Sequence, residues 1–341
     1  MNYSELAAAA RGQIGPYCRA CPVCDGRACA GVMPGPGDKG VGHVAEKNWR
    51  AWQALSVNMD TLHEPFSADT RAAVLGRELS LPVMVGPVGD VQRHYGEKCD
   101  TVGYNRCVLE AAAGEGTLAW TGDGLDSSIM TEACDLVGSL GGAGVPTVKP
   151  WDDATLAAKL DEALAARPAA VAMDIDAAGL PFLRGQQPPA GAKSAAQIAE
   201  VAARCHEADT RFVLKGVMTA SAARRAAEAG VDAIVVSNHG GRVLDGTPAT
   251  ADALPVIVDA AGEKVEVLVD GGVRSGLDVF RALALGARAC LICRPFVVAA
   301  FGGGAEGVRA YLAQLRAELA DAMEMCGAAT VADVTRDMLW S

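Results

Sequence analysis

The 341 residues carry a formal net charge of −11 and no block of Lys or Arg, so the electrostatic footprint of a nucleic-acid binder is missing. The composition is 50% hydrophobic, which excludes a disordered chain, and no apolar run reaches the roughly 18 residues of a membrane span. The opening MNYSELAAAARGQ has neither the basic start nor the apolar core of a signal peptide, so the expected location is the cytoplasm, with no membrane partner.

The first feature along the chain is YCRACPVCDGRACAGVMPGPGDKG, residues 17–40. Of the 11 cysteines, Cys99, Cys107, Cys134, Cys205, Cys290, Cys293 and Cys326 fall in segments that read as core or helix, where a reduced thiol packs as a small hydrophobe. The others, Cys18, Cys21, Cys24 and Cys29, follow the spacing C-x2-C-x2-C-x4-C. That spacing resembles the start of an iron–sulfur ligand run, though without the usual terminal Cys-Pro, and four thiolates suit tetrahedral zinc equally. The alternative is a Gly/Pro-rich lid holding four reduced cysteines, since disulfides do not suit a cytoplasmic chain.

From residue 81 onward, short apolar runs alternate with helical segments. The runs are LPVMVGPV (81–88), GTLAW (116–120), VPTVKP (145–150), AVAMDID (170–176), RFVLKGV (211–217), AIVVSNH (233–239), VEVLVDGG (265–272) and ACLICRP (289–295). They lack period-two alternation, as expected for parallel strands covered by helices on one side and filled on the other. Helix signals lie between them. Ile198, Val201, Ala202 and Cys205 form one face within 192–209, Thr219 and Gly230 frame another helix, and Ser275 with Asp278 reads as a capping box closed by Gly286.

Eight such units predict an α/β fold of the (β/α)8 TIM barrel type over residues 81–341, preceded by an extension of about 80 residues. A doubly wound open sheet is the alternative. In a barrel, chemistry collects at the C-terminal strand ends. Those ends hold Gly86, Pro87, Thr121, Lys149, Asp174, Lys215, His239, Asp270, Gly271 and Arg294, a polar set for positions that close apolar runs. In VLVDGGVRSG, Gly271 and Gly272 let backbone approach an anion and Arg274 adds charge, while Arg294 ends the next strand. A phosphorylated cofactor across the barrel mouth is expected.

The segments VLKGV, SNHGGRVLDGTPATADALPVI and DGGVRSGLDVFRALALGA resemble those of the FMN-dependent 2-hydroxy acid oxidising enzymes, the group of glycolate oxidase and lactate oxidase. The similarity runs from about residue 211 to 339 and returns in NWRAWQALSVNM and VLGRELSLPVMVGP. The resemblance implies oxidation of a 2-hydroxy acid to a 2-oxo acid with FMN. Lys215 would stand near the N1/O2 side of the flavin, and Asp270, Gly271, Gly272, Arg274 and Arg294 would take the ribityl chain and phosphate. Gly86, Pro87 and Val88 would pack near the ring, and Thr121 would hydrogen-bond it. His239 would be the base, since its pKa lies nearest neutrality; Asp174 would orient it; Arg242 would hold the substrate carboxylate as a bidentate pair. The family commonly forms tetramers or larger rings, so a homo-oligomer is expected, with oxygen or an electron-carrier protein as acceptor.

The sequence departs from the pattern in places. Lys149 stands where a family tyrosine meets the substrate hydroxyl, no N-terminal tyrosine aligns, and Cys293 replaces the glycine before the last arginine. Lys149 is therefore expected to contact substrate, and Cys293 to reshape the phosphate loop. Two alternatives remain at this point: an FMN-dependent isomerase of the isopentenyl diphosphate isomerase type, and a non-catalytic flavin- or metal-binding redox protein.

Overall fold

The computed structural model describes residues 1–340, and at its centre eight parallel strands close into a barrel. They are β1 (Val83–Val85), β2 (Ala119–Thr121), β3 (Gly144–Val148), β4 (Ala170–Asp174), β5 (Arg211–Val217), β6 (Ala233–Val236), β7 (Glu266–Val269) and β8 (Ala289–Ile292). Each expected run overlaps one strand. The open-sheet alternative is overturned by the parallel pairing of β8 with β1, Cys290 opposite Val83, which closes the circle.

Both strand faces are apolar because both are buried. Val83, Val85, Val171, Met173, Ile234 and Val236 point outward into the cluster beneath the helices. Met84, Trp120, Val145, Ala172, Val213, Val235 and Leu268 point inward and fill the barrel. Val74, Leu75 and Leu79, from a hairpin pairing Ala72–Val74 with Arg77–Leu79, join this inner cluster beside Ala169 and Ala170 and plug the N-terminal mouth. Each such Val or Leu contributes roughly 1.5–3 kcal/mol by leaving water.

The helix ends follow the sequence signals. Thr219 accepts the N–H of Ala222, and Ser275 and Asp278 cap each other reciprocally. Gly230 and Gly286 take φ of 81° and 98°, where a side chain would be strained, and stop their helices.

The extension wraps the barrel. Helix α1 (Tyr3–Ala10) lies against the long C-terminal helix, with the Tyr3 and Tyr311 rings 5.1 Å apart. Helix α2 (Val44–Ala54) crosses the C-terminal mouth, where Trp52 Nε1 donates to the Gly271 carbonyl at 2.8 Å. Between them the chain forms no helix or strand beyond an isolated bridge from Arg11 to Ile14.

Helix α3 (Gly276–Ala284) meets helix α4 (Arg294–Met325) without a gap: a Cβ on Gly276 would strike the backbone at Leu315 and Leu319. Gly276→Ala is therefore expected to cost roughly 1–3 kcal/mol through overpacking. A thermal unfolding midpoint equal to the parent's would show that this joint yields freely.

Candidate active site

Side chains alternate along a strand, so the inward row can be followed to its C-terminal end. Ala170 and Ala172 lead to Asp174, Val213 leads to Lys215, Ala233 and Val235 lead to Ser237, Leu268 leads to Asp270, and Ala289 and Leu291 lead to Cys293. Val145 leads through Thr147 to Lys149 in the same way. One layer above an apolar filling, the barrel thus presents a polar floor to a cavity of about 580 Å³. Thr121 shares the outward parity of Ala119, and neither it nor Gly86 lines this cavity; Pro87, Val88, Gly122 and Asp123 do.

Lys215 is buried, with Nζ 3.2 Å from Asp270 Oδ2 and 3.1 Å from Ser237 Oγ. Burial alone would lower its pKa, but Asp270, Asp176 and Asp174 raise it further, so it stays charged. Asp270 Oδ1 has no protein partner, an acceptor free for a ligand hydroxyl. Lys149 Nζ lies 3.4 Å from Asp174 Oδ2, and Asp174 Oδ1 is likewise buried and unpartnered.

The turn after β6 carries the expected base. His239, Gly240 and Gly241 have φ of 54°, 61° and 80° in succession, so a histidine occupies left-handed space between a strand and two glycines. Such strain persists only where surroundings fix it. The Asn238 and Asn48 amides pair reciprocally at 2.8 and 2.9 Å, tying the turn to α2. A Cβ on Gly240 would hit the Arg294 guanidinium, and one on Gly241 would meet Asp38 Cβ at 2.7 Å.

The carboxylate beside the imidazole is not Asp174 but Asp176. His239 Nδ1 lies 3.1 Å from Asp176 Oδ1, whereas Asp174 faces Lys149. Asp174 is the last residue of β4, whereas Asp176 lies in the 3-10 turn Ile175–Gly179 that follows, in room left by Gly216, whose Cβ would fall 2.6 Å from the Asp176 carboxyl carbon. Burial would raise the Asp176 pKa; His239, Lys215 and Lys149 outweigh it and hold the carboxylate ionised. Nδ1 is thereby engaged, and Nε2 is left for a substrate.

Arg242 lines the cavity, and the extension holds it: Nη1 donates to the carbonyls of Gly35 and of Gly37, the latter at 3.0 Å. Its Nη2 lies 3.5 Å from Nε2 of His94, a residue the sequence did not single out. His94 Nδ1 accepts the Gly35 N–H at 3.1 Å, so the neutral ring carries its proton on Nε2. Two N–H donors therefore converge with no acceptor between them, the arrangement an anion completes. Burial, then the Arg242, Arg93 and Lys149 charges, push the His94 pKa down to about 3.

Arg274 and Arg294 line the same cavity; Arg274 Nε also donates to the Cys24 carbonyl at 2.6 Å and Arg294 Nη2 to the Gly240 carbonyl at 3.1 Å. Cys18, Cys21, Cys24 and Cys29 are all unpaired and line a second, smaller cavity. Burial pushes the Cys18 thiol up to about 12 and raises Cys21 and Cys29. Among the described residues, no three Cys, His, Asp or Glu side chains converge on a point that would hold a single metal ion.

The sequence profile described as FMN-dependent dehydrogenase matches residues 36–182 and 185–341. The chain belongs to the FMN-dependent dehydrogenase family. A mandelate oxidase crystal structure superposes with a TM-score of 0.79 at 27% identity, over 99% of this chain and 97% of that one. A tyrosine-to-phenylalanine variant of mandelate oxidase with (S)-mandelic acid gives 0.77 at 27% identity, over the same 99% and 97%. An FMN-dependent alpha-hydroxy acid dehydrogenase of Penicillium citrinum is 49% identical over 128 residues, 38% of this chain and 32% of that protein. An L-lactate oxidase of a Roseobacter species is 48% identical over 127 residues, 37% of this chain and 34% of that one. The chain thus matches about a third of the length of these curated relatives. The isomerase alternative finds no support in these likenesses. No helix among the described residues is long and apolar enough to cross a membrane.

The residues of this chain fit the flavin nucleotide: a buried cation in Lys215, an unpartnered oxygen on Asp270 and two arginines share one cavity. His94 gives a pH test. Its folded pKa of about 3 lies below the ordinary 6.5, so the unfolded chain binds more protons between them. Stability is full above pH 6.5 and falls as the pH drops toward 3, by on the order of 3 kcal/mol at about pH 4. His94→Gln should lose less stability than the parent between neutral and about pH 4 in denaturant titrations; identical slopes would exclude a neutral buried His94.

Proposed function

We propose that this protein oxidises a 2-hydroxy acid to the 2-oxo acid with FMN as the immediate electron acceptor. The observation that carries this reading is that His239, held 3.1 Å from Asp176, lines the same cavity as Arg242. FMN, when bound, supplies the acceptor for two electrons and a proton leaving the substrate α-carbon as hydride. Asp270, Gly271, Gly272, Arg274 and Arg294 would hold its ribityl phosphate, with Pro87 and Val88 against the ring and Lys215 countering the charge of the reduced flavin.

His239 Nε2 takes the hydroxyl proton, and Asp176 on Nδ1 fixes the ring and stabilises the imidazolium. The substrate carboxylate bridges Arg242 Nη2 and His94 Nε2–H, the two donors left facing each other at 3.5 Å. His94 so takes the place of the missing N-terminal tyrosine. Lys149, beside Asp174, offers a cation to the developing alkoxide. Pro36, Leu180, Phe182 and Leu183 supply an apolar wall for the substrate side chain.

The free thiols suit a reducing compartment, and we place the protein in the cytoplasm. The thiol-lined cavity is read as a metal centre. A homo-oligomer is proposed too, with exposed Met59, Leu62 and Trp340 on segments joined by the Val57–Leu339 bridge as apolar surface for it; light scattering should give a multiple of 35.0 kDa.

Mixing the FMN-loaded protein anaerobically with a panel of 2-hydroxy acids should bleach the flavin, and admitting air afterwards separates oxygen from a carrier as acceptor. His239→Gln should slow bleaching by roughly 10²–10⁴-fold; a parental rate would remove the base assignment. Arg242→Lys should raise KM by about tenfold or more, since an ammonium cannot copy the planar fork.

A further inference from the structure

The cysteine segment is the part of the molecule that hydroxy-acid oxidation does not use. Its four thiols come from residues 18–29, where the chain has no helix or strand, and all four line one cavity together with Tyr3, Tyr95, Arg294 and Val298. A structureless segment running from Ala10 to Val44 must offset the entropy of being ordered, and it has little apolar core of its own to do so. Metal ligation is one source of such free energy.

A second observation points into the same cavity. Tyr3 is 8% exposed and its hydroxyl is buried with no hydrogen-bond partner. That leaves a donor facing the space the thiols surround, where an inorganic sulfide or a thiolate would accept it. Backbone contacts hold the loop in this shape: a Cβ on Gly37 would strike the Cys29 carbonyl, and Arg274 and Arg11 donate to the carbonyls of Cys24 and Ala20.

The type of centre follows from spacing. A zinc ion draws four sulfurs to about 2.3 Å from one point, and here no three ligands converge on a point. An iron–sulfur cluster takes its thiolates at separate corners and so accepts a ring of sulfurs around a void. The position matters as much: the thiol cavity and the large cavity share Pro36, Tyr95 and Arg294 as walls, so one layer of side chains separates them.

We propose that Cys18, Cys21, Cys24 and Cys29 ligate an iron–sulfur cluster that takes electrons singly from the FMN site next to it. The relay rests on the hydroxy-acid reading above; the cluster itself does not. The two electrons that leave the substrate as hydride pass to the cluster one at a time, each reducing it once, and each leaves to a soluble one-electron carrier of ferredoxin type before the next arrives. The substrate protons are released to solvent.

The full-length protein, purified under argon and reconstituted with ferrous iron and sulfide, should contain about four irons and four sulfides per chain. Visible absorbance should survive extraction of the flavin. Adding a 2-hydroxy acid that bleaches the flavin should then raise the electron paramagnetic resonance signal of a reduced cluster. Cys21→Ser should lose most of its iron, and if that variant does not fold, the metal content of the parent decides alone. A flavin-loaded parent without stoichiometric iron and sulfide, or with one zinc in their place, overturns the cluster. Iron present with no resonance signal after flavin bleaching overturns the relay. If instead no hydroxy acid bleaches the flavin while iron and sulfide are stoichiometric, the substrate reading fails and the cluster stands.

Discussion

The alternation of side chains along eight closed parallel strands is the constraint on which the rest depends. Every second residue must enter the barrel, and below the mouth those positions can only be apolar because nothing there satisfies a polar group. Met84, Trp120, Val145, Val213 and Leu268 meet that demand. One step higher the same row becomes Lys149, Asp174, Lys215, Ser237, Asp270 and Cys293. These charges persist in a buried layer because they are paired, Lys149 with Asp174 and Lys215 with Asp270, each pair keeping one carboxylate oxygen unpartnered toward the cavity. Burying ions is costly unless a ligand completes their hydrogen bonds, so the floor is poised for one.

The extension supplies the other half of the site. Asp38 is fully buried and accepts the N–H of Gly31 and of Ala45, while Lys39 N donates to the Gly241 carbonyl at 2.9 Å. These bonds press the cysteine segment onto the turn that carries His239 and Arg242. Gly35 and Gly37 orient Arg242 through their carbonyls, and Gly35 also selects the His94 tautomer through its N–H. A segment that looks like an appendage in sequence therefore sets the charge geometry at the Arg242 end of the cavity.

Two charges that should repel are held close there. Arg242 and Arg294 are both half-buried beside the His239–Gly241 turn, and desolvation together with Arg294 lowers the Arg242 pKa to about 10. Backbone carbonyls from Gly35, Gly37 and Gly240 offset part of this repulsion. Anionic groups bound beside this turn would offset the rest.

By itself the sequence determined the barrel, its caps and the strand ends where chemistry collects, because these follow from local periodicity and capping that need no distant partner. It also carried SNHGGR, whose glycines are required by contacts with Arg294 and Asp38. Asp174 and Asp176 could not be told apart that way: the sequence does not show that the strand stops at Asp174 and turns into a 3-10 segment, which carries Asp176 into the space above Gly216 and against the imidazole. The outward parity of Thr121 was legible, since Trp120 takes the inner face. His94 was not legible, because its role comes from the Gly35 amide and the Arg242 guanidinium, groups distant in sequence that only the packing of the extension over the barrel mouth brings together.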